Sequence, residues 1–359
     1  MQYSIDNKNN MSVTNVLKPE LIWVEGRCYR VLGNTKRSDS CNISPYIEDN
    51  YQLDFEDCEE ECTADIEIVP YRATQFKHTF HVPKSFFPFI VGSKHAVQKR
   101  LETETKTLIQ IPKLGQDGDL VITGADCKGI IKARHRINLL MEATRKKLDF
   151  THFLSIPLNK PEIMEEFNLF MKTVLNNSEK TSRGVDETIF QTPSKLHLTI
   201  GVLTLLDDTE RNEAIEALNY CQEYIIKPMI QKYGRIPIQL QGIDIMNDDP
   251  TKTRVLYAKI IDKSGALQKL VDEISNYYAS IGQLYKKTDK VKLHVTLMNT
   301  KFKLHDKIKY NKETFDASEI MKAYENRGFG ETVLTDIHLS QRHTIDSNGY
   351  YQSTAKINI

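Results

Sequence analysis

No apolar run in the 359 residues approaches the roughly 20 needed to cross a bilayer as a helix. The first eleven residues are polar and lack the apolar stretch of a secretory signal. Cysteine is sparse: six thiols fall at positions 28, 41, 58, 62, 127 and 221, with no CxxC pair and no regular spacing. That scatter excludes a disulfide scaffold and predicts a reducing compartment. Tryptophan occurs once, at Trp23, and net charge is absent, with 48 basic against 48 acidic residues. Hydrophobic content of 40% and charged content of 27% exclude bulk disorder. A soluble intracellular protein with room for two cores is expected.

The charges that cancel in total are segregated along the chain. Between Arg37 and Arg72 stand eleven Asp or Glu and no Lys or Arg; from Gly92 to Asp149 there are twelve basic residues against seven acidic. An acidic run of this kind reads as solvated linker, and a basic module favours a polyanionic partner. We divide the chain into an N-terminal docking segment (1–33), an acidic linker (34–73), a basic α/β module (74–149) and a larger α+β region (150–359). In the last, strand patterns at 152–158, 195–203, 236–246, 254–260 and 291–299 alternate with helical patterns at 161–175, 209–232 and 267–281. Residues 337–343 and 350–359 are expected to close as a hairpin around Ser347-Asn348-Gly349.

One hexapeptide repeats. Lys195-Leu196-His197-Leu198-Thr199-Ile200 returns as Lys292-Leu293-His294-Val295-Thr296-Leu297. In an extended chain alternate residues share a face, so each copy sends Lys, His and Thr one way and three aliphatic residues the other. Two such faces across a groove suit phosphodiester cleavage. An imidazole titrates near neutrality, so one copy takes a proton while the other gives one. Threonine hydroxyls at position 199 and 296 orient the non-bridging phosphate oxygens, and Lys195 and Lys292 add positive potential at the rim. This chemistry needs neither metal nor cofactor. His338, followed by Ser340 but lacking the Lys-Leu prefix, reads as a structural histidine.

With these motifs, residues 150–359 resemble the two-histidine (2H) phosphoesterase superfamily, and within it the branch holding the A-kinase-anchoring-protein nuclear-localisation domain. The resemblance implies a bilobal, pseudo-two-fold α+β fold, with His197, Thr199, His294 and Thr296 on the floor of a central cleft. It also implies metal-independent chemistry on 2′,3′-cyclic phosphates or RNA ends.

Upstream, the order β-α-α-β-β-α over 76–147 resembles a KH domain. There a Gly-x-x-Gly turn lets bare backbone approach four nucleotides. Here the turn reads Gly92-Ser93-Lys94-His95, with the second glycine absent. Lys94, His95, Lys99 and Arg100 are expected to meet phosphate by charge instead. RNA and single-stranded DNA both remain open as the bound strand.

With VLKPELIWVEGRCYR (16–30), the KH-like module, the two KLH-x-T motifs, MNDDP (246–250), VLYAKI (255–260), VKLHVTLMNT (291–300) and IHLSQR (337–342) in that order, the chain resembles over nearly its whole length a family of nuclear transcription-coactivator subunits. That resemblance implies partnership with a large helicase subunit and the other members of such a complex, and a role in the alkylation-damage response. Two rivals stand beside the enzyme: an adaptor whose cleft binds a phosphorylated ligand without turnover, and a scaffold working through residues 1–71.

Overall fold

The computed structural model describes residues 21–24, 27–30, 66–72, 74–113, 116, 118–178, 182–284, 290–303 and 313–359. The chain divides into two units, Met1–Tyr46 and Ile47–Ile359. Of the first, the structure describes one antiparallel hairpin, β1 (Leu21–Val24) with β2 (Arg27–Arg30), paired so that Trp23 stands opposite Cys28. The rest of the expected docking segment, and the acidic linker as far as residue 65, lie outside the described residues.

The second unit opens with a strand placed by sequence within the linker. β3 (Val69–Tyr71) pairs with β4 (Gln75–Phe80), and Arg72, at φ 56°, lies in the short turn between them. The acidic composition upstream hid this three-residue strand. Then follow α1 (Phe87–Val91), α2 (Ala96–Thr105), β5 (Thr107–Gln110), β6 (Leu120–Gly124) and α3 (Cys127–Arg145). The β-α-α-β-β-α order expected of a KH fold is present, with β3 as an added edge in a sheet of order β3-β4-β6-β5. Helix α3 starts at Asp126, whose carboxylate accepts from Gly129 N. Its apolar stripe of Ile130, Ala133 and Ile137 is fully buried with Phe86, Ile90, Ile109 and Ile122 in a core of its own.

The C-terminal domain contains β7 (His152–Pro157), α4 (Pro161–Ser178), β8 (His197–Leu203), α5 (Asp208–Cys221) and α6 (Lys227–Tyr233). The chain continues through β9 (Pro237–Ile245), β10 (Val255–Ile261), α7 (Ala266–Ser280), β11 (His294–Asn299) and α8 (Ser318–Tyr324). Strands β12 (Gly328–Val333), β13 (Asp336–Ile345) and β14 (Tyr351–Asn358) end it. The long helix expected over 209–232 is interrupted by a π-turn at Gln222–Ile226, ending two positions before Pro228. Proline lacks an N–H and its ring crowds the carbonyl one turn back; the widened turn absorbs both.

Eight antiparallel strands form one sheet of order β12-β9-β10-β11-β8-β7-β13-β14. It splits into two four-strand lobes that meet where β11 joins β8, the seam of a pseudo-two-fold. The aliphatic positions of the two repeats, Leu198, Ile200, Val295 and Leu297, are buried with Phe167, Phe170, Leu270 and Ile274 beneath the helices. The other face of the seam is left to the polar positions.

The KH module docks on this domain through specific contacts. The Arg145 guanidinium donates to the Thr204 carbonyl at 2.5 Å and pairs with Glu210; His81 Nε2 meets Asp207 Oδ2 at 2.7 Å; Leu206 packs against the KH core. No helix among the described residues is long and apolar enough to cross a membrane.

Candidate active site

The register of the seam follows from one pair, Val295 opposite Leu198. Continued one residue either way in an antiparallel ladder, it sets His197 opposite Thr296 and Thr199 opposite His294. Each imidazole thus neighbours the other repeat's hydroxyl, and the two histidines are diagonal neighbours on one face, roughly 7–8 Å apart between backbones. The structure brings together the four residues that the repeat singled out.

Both rings are held the same way. His197 Nδ1 donates to the Lys195 carbonyl at 2.7 Å, and His294 Nδ1 donates to the Lys292 carbonyl at 2.7 Å. A carbonyl only accepts, so the Nδ1–H tautomer is fixed and each neutral ring keeps its lone pair on Nε2. Burial pushes His197 down to about 4, against the stabilising Lys195 carbonyl, with positive charge on His294 adding to the shift. His294 is also lowered, first by burial, with the Lys292 ammonium contributing.

The lysines sit differently from the expected alternation. Each strand begins at its histidine rather than at the lysine: Lys195 closes a 3₁₀ turn, Pro193–Lys195, and Lys292 precedes β11. Proline at 193 starts that turn and the chain does not extend until residue 196. The lysine backbone, not its side chain, touches the imidazole. The ammonium groups lie over aromatic rings, Lys195 at 5.7 Å from Tyr351 and Lys292 at 4.5 Å from Tyr257.

Those tyrosines were not singled out by sequence, since neither belongs to a repeated motif. Around His197 the wall is aromatic: Phe153 at 5.1 Å and Tyr351 at 5.4 Å, between ring centroids. Beneath it Tyr350 donates to Ser155 Oγ at 3.0 Å, and Ser155 meets Ser340 at 2.9 Å in a buried hydroxyl chain. Around His294 the wall is polar. Tyr257 stands 5.3 Å away, edge on, and donates to Asp244 Oδ2 at 2.8 Å; burial holds this phenol protonated. Ser155 pairs with Thr199 as Tyr257 pairs with Thr296, so the two occupy equivalent places in the lobes. His338 is a structural residue as expected, its Nε2 3.2 Å from Asp336. Among the described residues, no cluster of three His, Cys, Asp or Glu has a metal-holding arrangement.

In the KH module the turn at 92–95 lacks the second glycine, yet three of its four residues have positive φ. Gly92 has φ 69°, and a Cβ there would meet Val97 Cγ2 at 2.4 Å. Lys94 and His95 also take left-handed conformations, φ 49° and 64°. Such a residue carries a strain of about 1–2 kcal/mol. His95 Nδ1 donates to Gln98 Oε1 at 3.0 Å, and Gln98 in turn donates to the Ile109 carbonyl at 2.8 Å. Ser93, Lys94, His95, Lys99 and Arg100 are all exposed.

Residues 150–359 match the family described as AKAP7 2′5′ RNA ligase-like domain, and residues 77–139 match the KH domain. Activating signal cointegrator 1 complex subunit 1 of Mus musculus is 38% identical over 361 residues, covering 96% of this chain and 99% of that one. The chain belongs to the activating signal cointegrator 1 complex subunit 1 family. Its C-terminal part is also similar to human A-kinase anchor protein 7 isoform gamma, 24% identical over 59% of this chain and 58% of that protein. Among solved structures, apo LigT of E. coli is 14% identical and covers 58% of this chain and 97% of its own, with a TM-score of 0.34.

Within this KH-containing family, the His95 conformation gives a direct test of the altered turn. His95→Gly relieves the left-handed strain and removes a ring from the line of backbone approach. It is expected to strengthen binding of a single-stranded oligonucleotide severalfold in a fluorescence-anisotropy titration. Weaker binding would instead assign the contact to the imidazole.

Proposed function

We propose that the C-terminal domain is a metal-independent phosphodiesterase acting on RNA ends or 2′,3′-cyclic phosphates, and that the KH module holds the strand it processes. The observation that carries this reading is the pair of imidazoles at the β8–β11 seam. Each is locked by its Nδ1–H with Nε2 free, and each neighbours a threonine hydroxyl.

In a cyclic phosphate, His197 Nε2 takes a proton from water as the water oxygen bonds to phosphorus. His294 Nε2–H gives its proton to the departing ribose oxygen as that P–O bond breaks. Thr199 and Thr296 donate to the non-bridging oxygens, where charge accumulates. We assign the base to His197 because its stronger burial keeps it neutral. His294, whose burial is less complete, gains a proton as the anion arrives, since a nearby negative charge raises an imidazole pKa.

The family relationship supports a role as a subunit of an activating signal cointegrator 1 complex; we further propose that the protein is nuclear, partners the large helicase subunit of that complex and acts in transcription coactivation and the alkylation-damage response. In that setting the KH module and the cleft would act on one strand.

The reading is tested by mass spectrometry of products from a defined set of oligonucleotides with 3′-hydroxyl, 3′-phosphate and 2′,3′-cyclic phosphate ends. Cleavage or ring opening, unaffected by chelator, is the expected result. Tight binding with no product from any substrate would hand the cleft to the adaptor reading.

A further inference from the structure

The two lobes are alike in fold but not in charge. Opposite His197 on the neighbouring strand stands Pro157; opposite His294, at the equivalent place, stands Lys259. Lys259 alternates with the buried Ala258 and Ile260, so its side chain shares the cleft face with Tyr257 and His294. It lies flat across β9 because Gly242 leaves room: a Cβ on that glycine would meet Lys259 Cε at 2.7 Å and Nζ at 3.1 Å. Gly242 has φ 78°, in a bulge where the β9–β10 register shifts. A bulge of this kind re-aims a side chain beside a site.

Lys259 is half-buried; Lys292 is exposed and rests over Tyr257, whose ring lies 5.3 Å from that of His294. Among the described residues neither ammonium has an ion-pair partner, whereas Lys303, Lys322 and Lys227 are each paired with a carboxylate. For the half-buried Lys259, an ammonium without a counter-charge is unfavourable and is relieved when an anion arrives, and the exposed Lys292 adds its charge beside it. Asp244, on the neighbouring strand, is engaged by the Tyr257 hydroxyl and by Ile245 N.

We infer that Lys259 and Lys292 form a second anion subsite beside the His294 lobe, which takes a phosphate adjacent to the one being cleaved. This rests on the phosphodiesterase reading and narrows it. The favoured substrate carries a 5′-phosphate, or the phosphodiester of a preceding nucleotide, as well as the reacting 3′ end. Distance agrees. Lys259 reaches from β10 over β9, one to two strand spacings from His294 on β11, or roughly 5–10 Å. Successive phosphates along a nucleotide chain are separated by a similar span. The lobe holding Phe153 and Tyr351 keeps Lys195 over Tyr351 as the counterpart of Lys292, but has Pro157 where the other has Lys259, so the second cation stands on the His294 side alone.

The experiment uses the full chain and two inert ligands, adenosine 3′-monophosphate and adenosine 3′,5′-bisphosphate, titrated by calorimetry. Turnover of adenosine 2′,3′-cyclic phosphate with and without a 5′-phosphate is measured in parallel. The bisphosphate is expected to bind about tenfold more tightly than the monophosphate, the size of a charge-assisted contact. Lys259→Met should bring that ratio close to one, Lys259→Arg should restore most of it, and Lys195→Met on the opposite lobe should leave the ratio in place. Loss of the advantage in Lys259→Met with no turnover of any substrate would sink the phosphodiesterase reading and keep the subsite. A wild-type ratio of one, or an unchanged ratio in Lys259→Met, would overturn the subsite whatever the turnover.

Discussion

Replacing either His197 or His294 with alanine is expected to lower the rate of phosphodiester cleavage by about 10²–10⁴-fold. Each ring supplies one proton transfer, and the two transfers are needed in the same step. The double variant should therefore be little worse than either single one, because groups acting as a unit lose their effect together. The fold should survive. Both rings stand on the cleft face, and each makes a single hydrogen bond, to a backbone carbonyl two residues upstream. Losing such a bond costs about 0.5–1.5 kcal/mol. The aliphatic neighbours Leu198, Ile200, Val295 and Leu297 keep both strands seated. Single-turnover cleavage with circular dichroism on the same samples checks both halves of the expectation. His338→Ala serves as comparison, since that ring pairs with Asp336 and has no part in the proton transfers. A fully active His197→Ala or His294→Ala protein would end the two-histidine mechanism.

What the sequence made legible was whatever a repeated local pattern encodes. The alternation within the two hexapeptides foretold which side chains enter the core, and their near identity foretold a seam of two like strands. The KH order was readable because Ile130, Ala133 and Ile137 fall at helical spacing between short strands. Less came through where structure depends on pairing with distant residues. Strand β12 was missed because Gly328 and Gly330 break the alternation, and only its pairing with Ile238 and Leu240 makes it a strand. The alternation was also extended two residues too far upstream of each histidine, so the lysine side chains were placed on the strand face. The asymmetry of the cleft was invisible for a similar reason. Tyr257, Lys259 and Tyr351 reach the two histidines only through strand register, across tens to hundreds of residues of chain, and no motif marks them.

The pH dependence of kcat/KM follows from the two depressed imidazoles, and it is expected to peak on the acid side of neutrality. This ratio reports groups in the free protein. The base, His197, must be unprotonated, so the rate climbs as pH rises through about 4. The acid, His294, must be protonated, so the rate falls as pH passes its own value, which burial and Lys292 hold below the ordinary 6.5. The maximum therefore lies between those limits. The fold itself weakens over the same window. His152, buried with Nδ1 against Thr151, is also pushed down to about 4 by burial and by Arg211. In the unfolded chain such rings titrate near 6.5, so between 6.5 and 4 the unfolded state binds more protons and stability is lost as the pH is lowered. The part due to His152 reaches about 3 kcal/mol, fully present above 6.5. Initial rates taken within seconds of a pH jump separate the two effects. With substrate bound, the phosphate charge raises both imidazoles, so kcat alone should peak at higher pH than kcat/KM. A kcat/KM profile still climbing above pH 7 would need a base that loses its proton there, and neither imidazole answers that description.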